Sequence, residues 1–174
     1  MEKIEWVPVL YNGVETNVEV TKCGRVRRLK KDWVNYKTSA KLGEIDFDKL
    51  LITIDGYRQV GIQIKYLKKK TIRIHQLVAS AFLGYKFEGH KLVVDHIDSN
   101  KLNNHIDNLR IITQRENVSK EKAIKSGLPV GVCFCKRTKK YLSSITINKK
   151  QIHLGYFSTP EEASNAYQNK LKTI

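Results

Sequence analysis

The stretch that most constrains the fold of this chain is residues 93–117, VVDHIDSNKLNNHIDNLRIITQREN. Two short predicted strands, 93–94 and 109–112, enclose a loop rich in Asp and Asn, whose short polar side chains bind loop backbone in turns. A threonine and a glutamate spaced as a capping box then predict a helix that begins at Gln114. The order strand, loop, strand, helix predicts a compact unit whose two ends approach each other.

Three polar residues of this unit have the chemistry of a reactive site. The order of the elements is expected to bring Asp95 and His96 close to Asn117. Oxygen ligands from Asp95 and Asn117 suit a hard divalent cation, and Mg²⁺ takes the rest of its roughly six ligands from water and phosphate. A neutral imidazole such as that of His96 can deprotonate water near pH 7. These groups suit phosphodiester hydrolysis. The alternative interpretation is a polar turn without chemistry.

The charge of the chain favours a polyanion as partner. Its 174 residues contain 32 Lys and Arg against 17 Asp and Glu, which gives a formal net charge of +15. Basic side chains bind phosphates and release counterions, so we expect nucleic acid. The alternative is a ribosome-like or simply soluble basic protein. The three cysteines include no C-x-x-C pair, which argues against a disulfide framework and against a cysteine zinc site.

No membrane segment is predicted. No apolar run approaches the roughly 20 residues that a transmembrane helix needs. The N-terminal residues MEKIEWVPVL lack the basic-then-apolar pattern of a signal peptide. We therefore expect a cytoplasmic protein.

The first half of the chain is predicted to be rich in strands. Short extended pieces flank a turn at residues 23–24, and two β-rich runs flank residues 55–56, whose Asp-Gly sequence is a strong hairpin signal. A strand that ends near Ile74 precedes HQLVASAF, which has helical apolar spacing. Gly84 is expected to end this helix.

The last segment predicts a small sheet and one helix, so the fold class is α+β. GVCFC, KYLSSITIN and KQIHLGYF are typical of three short antiparallel strands, and a linker is expected at residues 126–129. Thr159 as N-cap, Pro160 at the first helical position and two acidic residues in the first turn predict the helix. The expected small core is formed by Ile152, Leu154, Ala163, Ala166 and Tyr167.

The strings IHQLVASAF, VVDHIDSNKLNNHIDNLR and TQREN together resemble the HNH endonuclease family, the ββα-metal nuclease motif, in the form found in phage-type homing endonucleases. The signature positions would be His96, Asn108 and Asn117. The resemblance implies that Asp95 is the first metal ligand, that His96 is the general base, and that Asn108 ties the loop backbone so that His96 is oriented. Asn117 stands where many members have histidine, and its amide oxygen can still coordinate a metal.

The resemblance also implies a cofactor and a division of the chain. The expected metal is Mg²⁺, for which Mn²⁺ can substitute, and no structural zinc is expected. The predicted domains are an N-terminal β-rich DNA-contact module at residues 1–70, an HNH ββα-metal nuclease domain at residues 71–126, and a C-terminal sheet-plus-helix DNA-binding domain at residues 127–174.

Two other groups have open interpretations. His75 lies at a strand-to-helix junction, where it is either a structural histidine or a supporting contact to the scissile phosphate. Cys133 and Cys135 would share one strand face, but no second cysteine pair accompanies them, which argues against a metal site there.

Residues 5–30 resemble the N-terminal module often found ahead of this nuclease type in phage homing enzymes, through Trp6, VEV and GRVRRL. The cluster Arg25, Arg27 and Arg28 is expected to contact phosphate or groove. Lys68, Lys69 and Lys70 are expected to form a second phosphate contact at a hairpin end. The alternative for the arginines is a solvated basic face.

The C-terminal 45 or so residues resemble the plant ethylene-response-factor (Apetala-type) DNA-binding domain, through KYLSSITIN, IHLGYF and TPEEASNAY. That resemblance implies a three-stranded sheet in the major groove with one helix behind it. Strand alternation gives the expected DNA-facing set: Arg137, Ser144, Thr146, Gln151 and His153. The sequence departs from the family at Cys133 and Cys135, where arginines are expected.

The predicted function is a site-specific DNA endonuclease with one divalent metal and a histidine general base, as in a phage homing endonuclease. Its partner is double-stranded DNA, and a monomer in the cytoplasm of the host cell is favoured. Two alternatives stay open: a DNA-binding regulator with an inactive nuclease centre, and a non-specific degradative nuclease.

Overall fold

The computed structural model describes residues 4–32, 43–45, 50, 52–89 and 91–173. Within these residues the elements are β1 Val7–Tyr11, β2 Val14–Val20, β3 Val26–Arg28, β4 Gly43–Glu44, β5 Gln59–Ile62, β6 Lys70–Arg73, α1 Ile74–Leu83, β7 Leu92–His96, a 3₁₀ helix Ile106–Asn108, β8 Leu109–Thr113, α2 Gln114–Ser126, β9 Val132–Cys135, β10 Lys140–Ile147, β11 Lys150–Phe157 and α3 Pro160–Leu171. The predicted α+β class is confirmed. Two compact units, Met1–Thr113 and Gln114–Ile174, divide the chain.

The first unit has several small antiparallel sheets around one core. A four-stranded sheet has the order β1-β2-β3-β4, and β5-β6 and β7-β8 are two-stranded. Buried apolar side chains from Val9 to Leu109 form a single cluster, to which both the first sheet and α1 contribute. This core extends across residue 70, so the predicted boundary there does not separate two cores. The functional division into three modules stays a prediction.

The turn at residues 55–56 forms, but the predicted hairpin around it is wrong in its strand pairing. Gly56 has a φ of +85°, and its N–H donates to the carbonyl of Thr53 at 2.8 Å. Across the turn, the described residues form one isolated bridge, Ile52 with Arg58. β5 pairs instead with β6. The physical reason is burial: Val60 and Ile62 of β5 lie in the core, whereas Ile52 is half exposed.

Helix α1 follows β6 directly, as predicted. Its apolar spacing buries one face, which includes Ile74, Leu77 and Val78. The helix ends at Gly84, whose φ of 69° is left-handed and whose N–H donates to the carbonyl of Ala79. Glycine adopts this conformation without steric cost, so the end of the helix is encoded locally.

In the second unit, the expected three-stranded sheet and helix are present. The strand order is β11-β10-β9, and the Thr159 side chain and Glu162 form a capping box at the start of α3. The buried side chains are Val132, Ser143, Ile145, Ala163 and Tyr167. Ile152 was expected in this core, but it is 38% exposed. Ile152 lies opposite Ile145, but on β11, which is an edge strand of the sheet and has a neighbouring strand on one side only.

Close packing requires glycine at one position of this unit, residue 131. Gly131 has a φ of +80°, and a Cβ there would lie 2.0 Å from the ring of Tyr167. Any side chain at this position would displace the ring from the small core. Elsewhere, none of the helices in the described ranges has the length and apolar character needed to span a bilayer.

Candidate active site

Asp95 and His96 form the end of β7 and are both buried, with 7% and 4% exposure. β7 pairs with β8, and Asp95 lies directly opposite Arg110. The Arg110 Nε donates to Asp95 Oδ2 at 2.8 Å. A buried carboxylate needs such a charged donor, because burial without a partner costs several kcal/mol. The strand pairing therefore holds the carboxylate in a defined direction at the strand end.

The ring of His96 is enclosed by polar and aromatic neighbours. Its Nε2 lies 3.4 Å from the amide Oδ1 of Asn104. The ring of His75 meets it edge-on with centroids 4.8 Å apart, and the ring of Tyr57 lies 5.9 Å away. An imidazole packed on two sides in this way has few orientations open to it, as a positioned base requires.

His75 is a buried neutral histidine. Its pKa is lowered to about 3, mainly by burial and in smaller measure by the neighbouring His96 and Arg73. Its exposure is 3%, and its ring packs against Tyr57 with centroids 4.9 Å apart. This burial favours the structural interpretation over direct contact with a phosphate.

Tyr57 is held against these histidines by two cations. The guanidinium of Arg73 lies 4.4 Å and the Nζ of Lys101 lies 4.8 Å from its ring centroid. Both cations also bind Asp55, Arg73 through the carboxylate at 2.6 Å and Lys101 through the backbone carbonyl at 2.8 Å. The turn at residues 55–56 is thereby attached to the site.

Asn108 is the centre of a hydrogen-bond network in the loop that follows His96. Its Oδ1 accepts from the backbone N of Asp98 at 3.0 Å, and its Nδ2 donates to Asp98 Oδ1 at 2.9 Å and to the carbonyl of Asn103 at 2.8 Å. The hydrogen bond from Asn103, then that from the backbone of Asn100, lowers the pKa of Asp98. The network fixes the loop backbone. Its effect on His96 stays a prediction.

Asn117 lies in the first turn of α2, which begins at Gln114 as predicted. It belongs to the second compact unit, so its approach to Asp95 stays a prediction. No group of three His, Cys, Asp or Glu that could hold a metal occurs among the described residues. A carboxylate and an amide oxygen fit Mg²⁺, which keeps several waters, better than they fit a metal that requires a full protein cage.

The predicted arginine cluster is largely engaged within the protein. Arg25 forms a two-point ion pair with Glu44 at 2.5 and 2.7 Å, which raises the pKa of its guanidinium. Arg27 pairs with Glu19 at 2.5 Å and stacks 4.5 Å from the Trp6 ring. Arg28 donates to the carbonyl of Gly61 at 3.4 Å. A phosphate contact by Arg25 or Arg27 stays a prediction, and each arginine would have to exchange its carboxylate partner for the phosphate.

Lys68 and Lys69 lie in the turn between β5 and β6, Lys70 begins β6, and all three are exposed. Lys70 donates to the hydroxyl of Tyr11 at 2.7 Å. Tyr66 takes a left-handed φ of 61° where the turn begins. A hairpin end with exposed lysines is suited to phosphate contact, and that role stays a prediction.

Four of the predicted C-terminal contacts share the sheet face that is turned away from the buried residues. Ser144 pairs with His153, and Thr146 pairs with Gln151. Gln151 Nε2 donates to Ser144 Oγ at 3.1 Å. The fifth contact, Arg137, is exposed in the turn between β9 and β10. DNA contact by this face stays a prediction.

The two cysteines of β9 are free thiols. A hydrogen bond from the side chain of Thr138 is the largest of the effects that lower the pKa of the Cys135 thiol. Cys133 lies opposite Leu142, on the face that also carries Ser144.

Sequence reasoning missed three residues around the site: Tyr57, Asn104 and Arg110. Of the three, Arg110 could have been found most readily from the sequence, because pairing 93–94 with 109–112 as antiparallel strands already places it near Asp95. Asn104 is one of several asparagines in the loop, and only the path of the loop selects it. Tyr57 comes from the turn at residues 55–56, and no local pattern relates that turn to His96.

Comparison with known proteins gives a consistent result. The HNH endonuclease family model matches residues 73–119. DNA endonuclease I-HmuI of Bacillus phage SP01 is 39% identical over 119 residues, 68% of this chain and 58% of I-HmuI. An SPbeta prophage-derived protein of Bacillus subtilis (strain 168), YosQ, which bears the name of an HNH homing endonuclease, is 40% identical over 83 residues, 48% of this chain and 46% of YosQ. The chain thus spans about half the length of these curated relatives.

A solved structure extends the comparison to most of the chain. The structure that describes DNA binding and cleavage by the HNH homing endonuclease I-HmuI matches with a TM-score of 0.50 and 28% identity. The match covers 93% of this chain and 82% of the I-HmuI chain. The range matched by the family model, residues 73–119, contains all four predicted site residues: Asp95, His96, Asn108 and Asn117. Residues 73–119 of this chain therefore match the HNH endonuclease family, and the chain is similar in sequence and fold to the phage homing endonuclease I-HmuI.

Proposed function

We propose that this chain is a metal-dependent, site-specific DNA endonuclease of the phage homing type. The observation that carries the proposal is the buried pair Asp95–His96 at the end of β7, within the HNH domain. The names of the relatives YosQ and I-HmuI support the homing type. Burial of the Asp95 carboxylate and of the His96 imidazole costs stability. An inactive centre would not need these two buried groups, so their presence, with Asp95 paired to Arg110, supports an active centre.

In the proposed reaction, His96 acts as the general base. It accepts a proton from a water molecule while the water oxygen attacks the scissile phosphorus and the P–O bond to the leaving oxygen breaks. A divalent ion held by Asp95 and Asn117, Mg²⁺ or in its place Mn²⁺, would neutralise charge on the phosphate and on the leaving oxygen. Arg110 keeps the Asp95 carboxylate directed, and Asn108 keeps the loop after His96 in one conformation.

The proposed substrate is double-stranded DNA, bound by basic and polar surfaces outside the nuclease centre. The exposed lysines at residues 68–70 and the outer face of the C-terminal sheet are the proposed contacts, with Arg137 at the rim of the sheet. We propose that the C-terminal module binds the major groove as ethylene-response-factor domains do. The protein would act as a monomer in the cytoplasm of the cell that holds the target.

The test is cleavage of genomic DNA from the source of the chain, with Mg²⁺ and with EDTA. Discrete products that require Mg²⁺ are expected. His96→Ala should reduce the rate on the order of 10²- to 10⁴-fold, because general-base catalysis contributes about that much, while DNA affinity stays nearly unchanged. A smear of products would indicate a degradative nuclease. Tight binding without cleavage would indicate a regulator with an inactive centre.

A further inference from the structure

We propose that Asn104 is a positioning residue that fixes neutral His96 as the tautomer with hydrogen on Nε2, so that Nδ1 is the atom that accepts the proton from water. This inference rests on the proposed function, because it assigns the atom through which the same base acts. The side chain of Asn104 contacts the His96 ring directly, whereas the side chain of Asn108 binds the backbone of the loop.

The first step is the direction of the Asn104 amide. Its Nδ2 donates to the carbonyl of Leu102 at 3.1 Å. A carbonyl can only accept, so this hydrogen bond identifies which end of the amide carries nitrogen. The Oδ1 must then be the atom that faces His96 Nε2 at 3.4 Å.

The second step is the direction of the hydrogen bond to His96. An amide oxygen only accepts, so the bond exists only if Nε2 carries the hydrogen. In a neutral imidazole one nitrogen is the donor and the other holds the lone pair, which is then at Nδ1. If Nε2 carried no hydrogen, the buried Oδ1 of Asn104, with 3% exposure of the residue, would face another acceptor at 3.4 Å, which is unfavourable.

The third step is that Asn104 is itself held in place. Gly24 of the turn between β2 and β3 packs against it, and a Cβ at residue 24 would lie 2.8 Å from Asn104 Cβ. Gly24 has a φ of +83°, and the neighbouring Lys22 accepts a backbone hydrogen bond from Ile106 at 2.8 Å. The first sheet thus supports the loop at the point where it contacts His96.

The fourth step is that the ring of His96 is restrained from rotating away. The edge-on contact with His75 and the nearby ring of Tyr57 limit the ring orientations. A ring flip would bring carbon in place of Nε2 opposite Asn104. The hydrogen bond and the aromatic contacts therefore favour the same orientation and the same tautomer.

The test uses ¹⁵N-labelled full-length protein without metal or DNA, at about pH 8, where histidine is mostly neutral. Long-range ¹H–¹⁵N spectra distinguish protonated from unprotonated imidazole nitrogens, and the His96→Ala variant identifies the His96 signals. We expect a protonated Nε2 and an unprotonated Nδ1. A wild-type His96 protonated at Nδ1 would overturn the proposal without any variant at residue 104.

Two substitutions then separate tautomer control from structural support. Asn104→Leu has nearly the same shape but no acceptor, so we expect a mixture of tautomers. We expect a single-turnover cleavage rate roughly 10- to 100-fold lower at saturating DNA, the usual cost of losing a partner that orients a functional imidazole. Asn104→Asp keeps an acceptor oxygen and should keep the Nε2–H tautomer.

Asn17→Leu is the matched control. Asn17 is equally buried at 3%, and its Oδ1 accepts from the backbone N of Gln63 at 2.8 Å. Its loss should lower stability without changing the His96 tautomer. An Asn104→Leu protein that cleaves at the wild-type rate, or one that loses rate with its tautomer unchanged, would overturn the proposal. If wild-type protein shows the expected tautomer but cuts no DNA with Mg²⁺, the proposed function has failed and not the tautomer assignment.

Discussion

His75 and His96 are in ring contact, yet their surroundings suit them to different tasks. Burial keeps His75 neutral with a pKa of about 3, so it cannot exchange protons in the physiological range. His96 is the last residue of β7, next to Asp95 and to the loop that carries Asn104. His75 therefore serves as an uncharged packing partner, while His96 is the proposed base.

The burial of His75 predicts how stability depends on pH. The unfolded chain takes up a proton near pH 6.5, whereas folded His75 does so only near pH 3, so stability falls as pH decreases between these values. Between pH 7 and pH 5 the loss from this group is about 2 kcal/mol. Urea unfolding of wild type and of His75→Phe at pH 7 and pH 5 measures the change in the free energy of unfolding. His75→Phe should lack the contribution of His75 to that change.

His105→Ala is the control for that measurement. Its side chain is 46% exposed, so its removal should leave the loss between pH 7 and pH 5 as in wild type. An equal pH dependence in wild type and His75→Phe would contradict the assignment of His75 as a buried neutral group.

The metal assignment predicts the behaviour of two further residues. Asp95→Ala and Asn117→Ala should each remove metal-supported cleavage, because each takes away one of the few protein ligands of an ion that keeps several waters. Titration with Mn²⁺, followed by its paramagnetic resonance, measures the loss of binding separately from activity. Asp107→Ala, which removes an 87% exposed carboxylate from the same domain, should bind metal as wild type does. Full cleavage by wild type in EDTA would contradict the mechanism.

At the scale of elements, the hairpin of β5 and β6 has exposed lysines at its turn, while Arg27 of β3 and Arg25 of the turn before it are bound to glutamates. The distinction matters for DNA, since a phosphate must compete with an existing carboxylate partner at Arg25 and Arg27 but not at a lysine that projects into water. The hairpin is therefore the stronger candidate for the electrostatic contact of the first unit.

We predict that Lys68→Ala combined with Lys69→Ala weakens DNA binding and makes its salt dependence shallower. Each lost phosphate contact should reduce the slope of log K against log salt by about 0.9. Affinity measured at several salt concentrations gives the slope. The charge-matched control is Lys22→Ala with Lys65→Ala, because both lysines already pair with glutamates, at 3.5 and 3.6 Å. Equal slopes for the two double variants would contradict a specific contact by Lys68 and Lys69.

Elements with local signals were predictable from the sequence, and those fixed by distant contacts were not. Gly84 and the capping residues of α2 and α3 marked helix ends that the structure confirms, because a cap is decided within about four residues. The strand that pairs with β5 is decided by which residues reach the core. The Asp-Gly turn therefore predicted the wrong partner strand for β5. In the site, Asp95 and His96 were evident from their strand and motif, whereas Asn104 and Tyr57 depend on how the loop and the turn fold back.

At the scale of the whole molecule, the part of the second unit that follows α2 has its own sheet, the helix α3 and a small core. We predict that deleting residues 127–174 leaves cleavage chemistry intact at saturating DNA but weakens binding, lowers target discrimination and makes the salt dependence shallower. The tail carries many lysines, which add phosphate contacts. Single-turnover cleavage and affinity at several salt concentrations test this, after circular dichroism shows that the shortened chain is folded. A folded truncation with unchanged affinity and salt slope would contradict a C-terminal DNA-binding module.

The packing of Gly24 against Asn104 restricts how new recognition properties can be acquired. The first sheet shares one core, from Val9 to Leu109, with the strands β7 and β8 of the candidate site, and the turn between β2 and β3 also supports the loop beside His96. A gene fusion that exchanged the N-terminal segment alone would cut through that core and disturb the position of His96. Recombination, whether in phage lineages or in the design of chimeric nucleases, should therefore succeed at junctions after Ser126 and fail at junctions near residue 70.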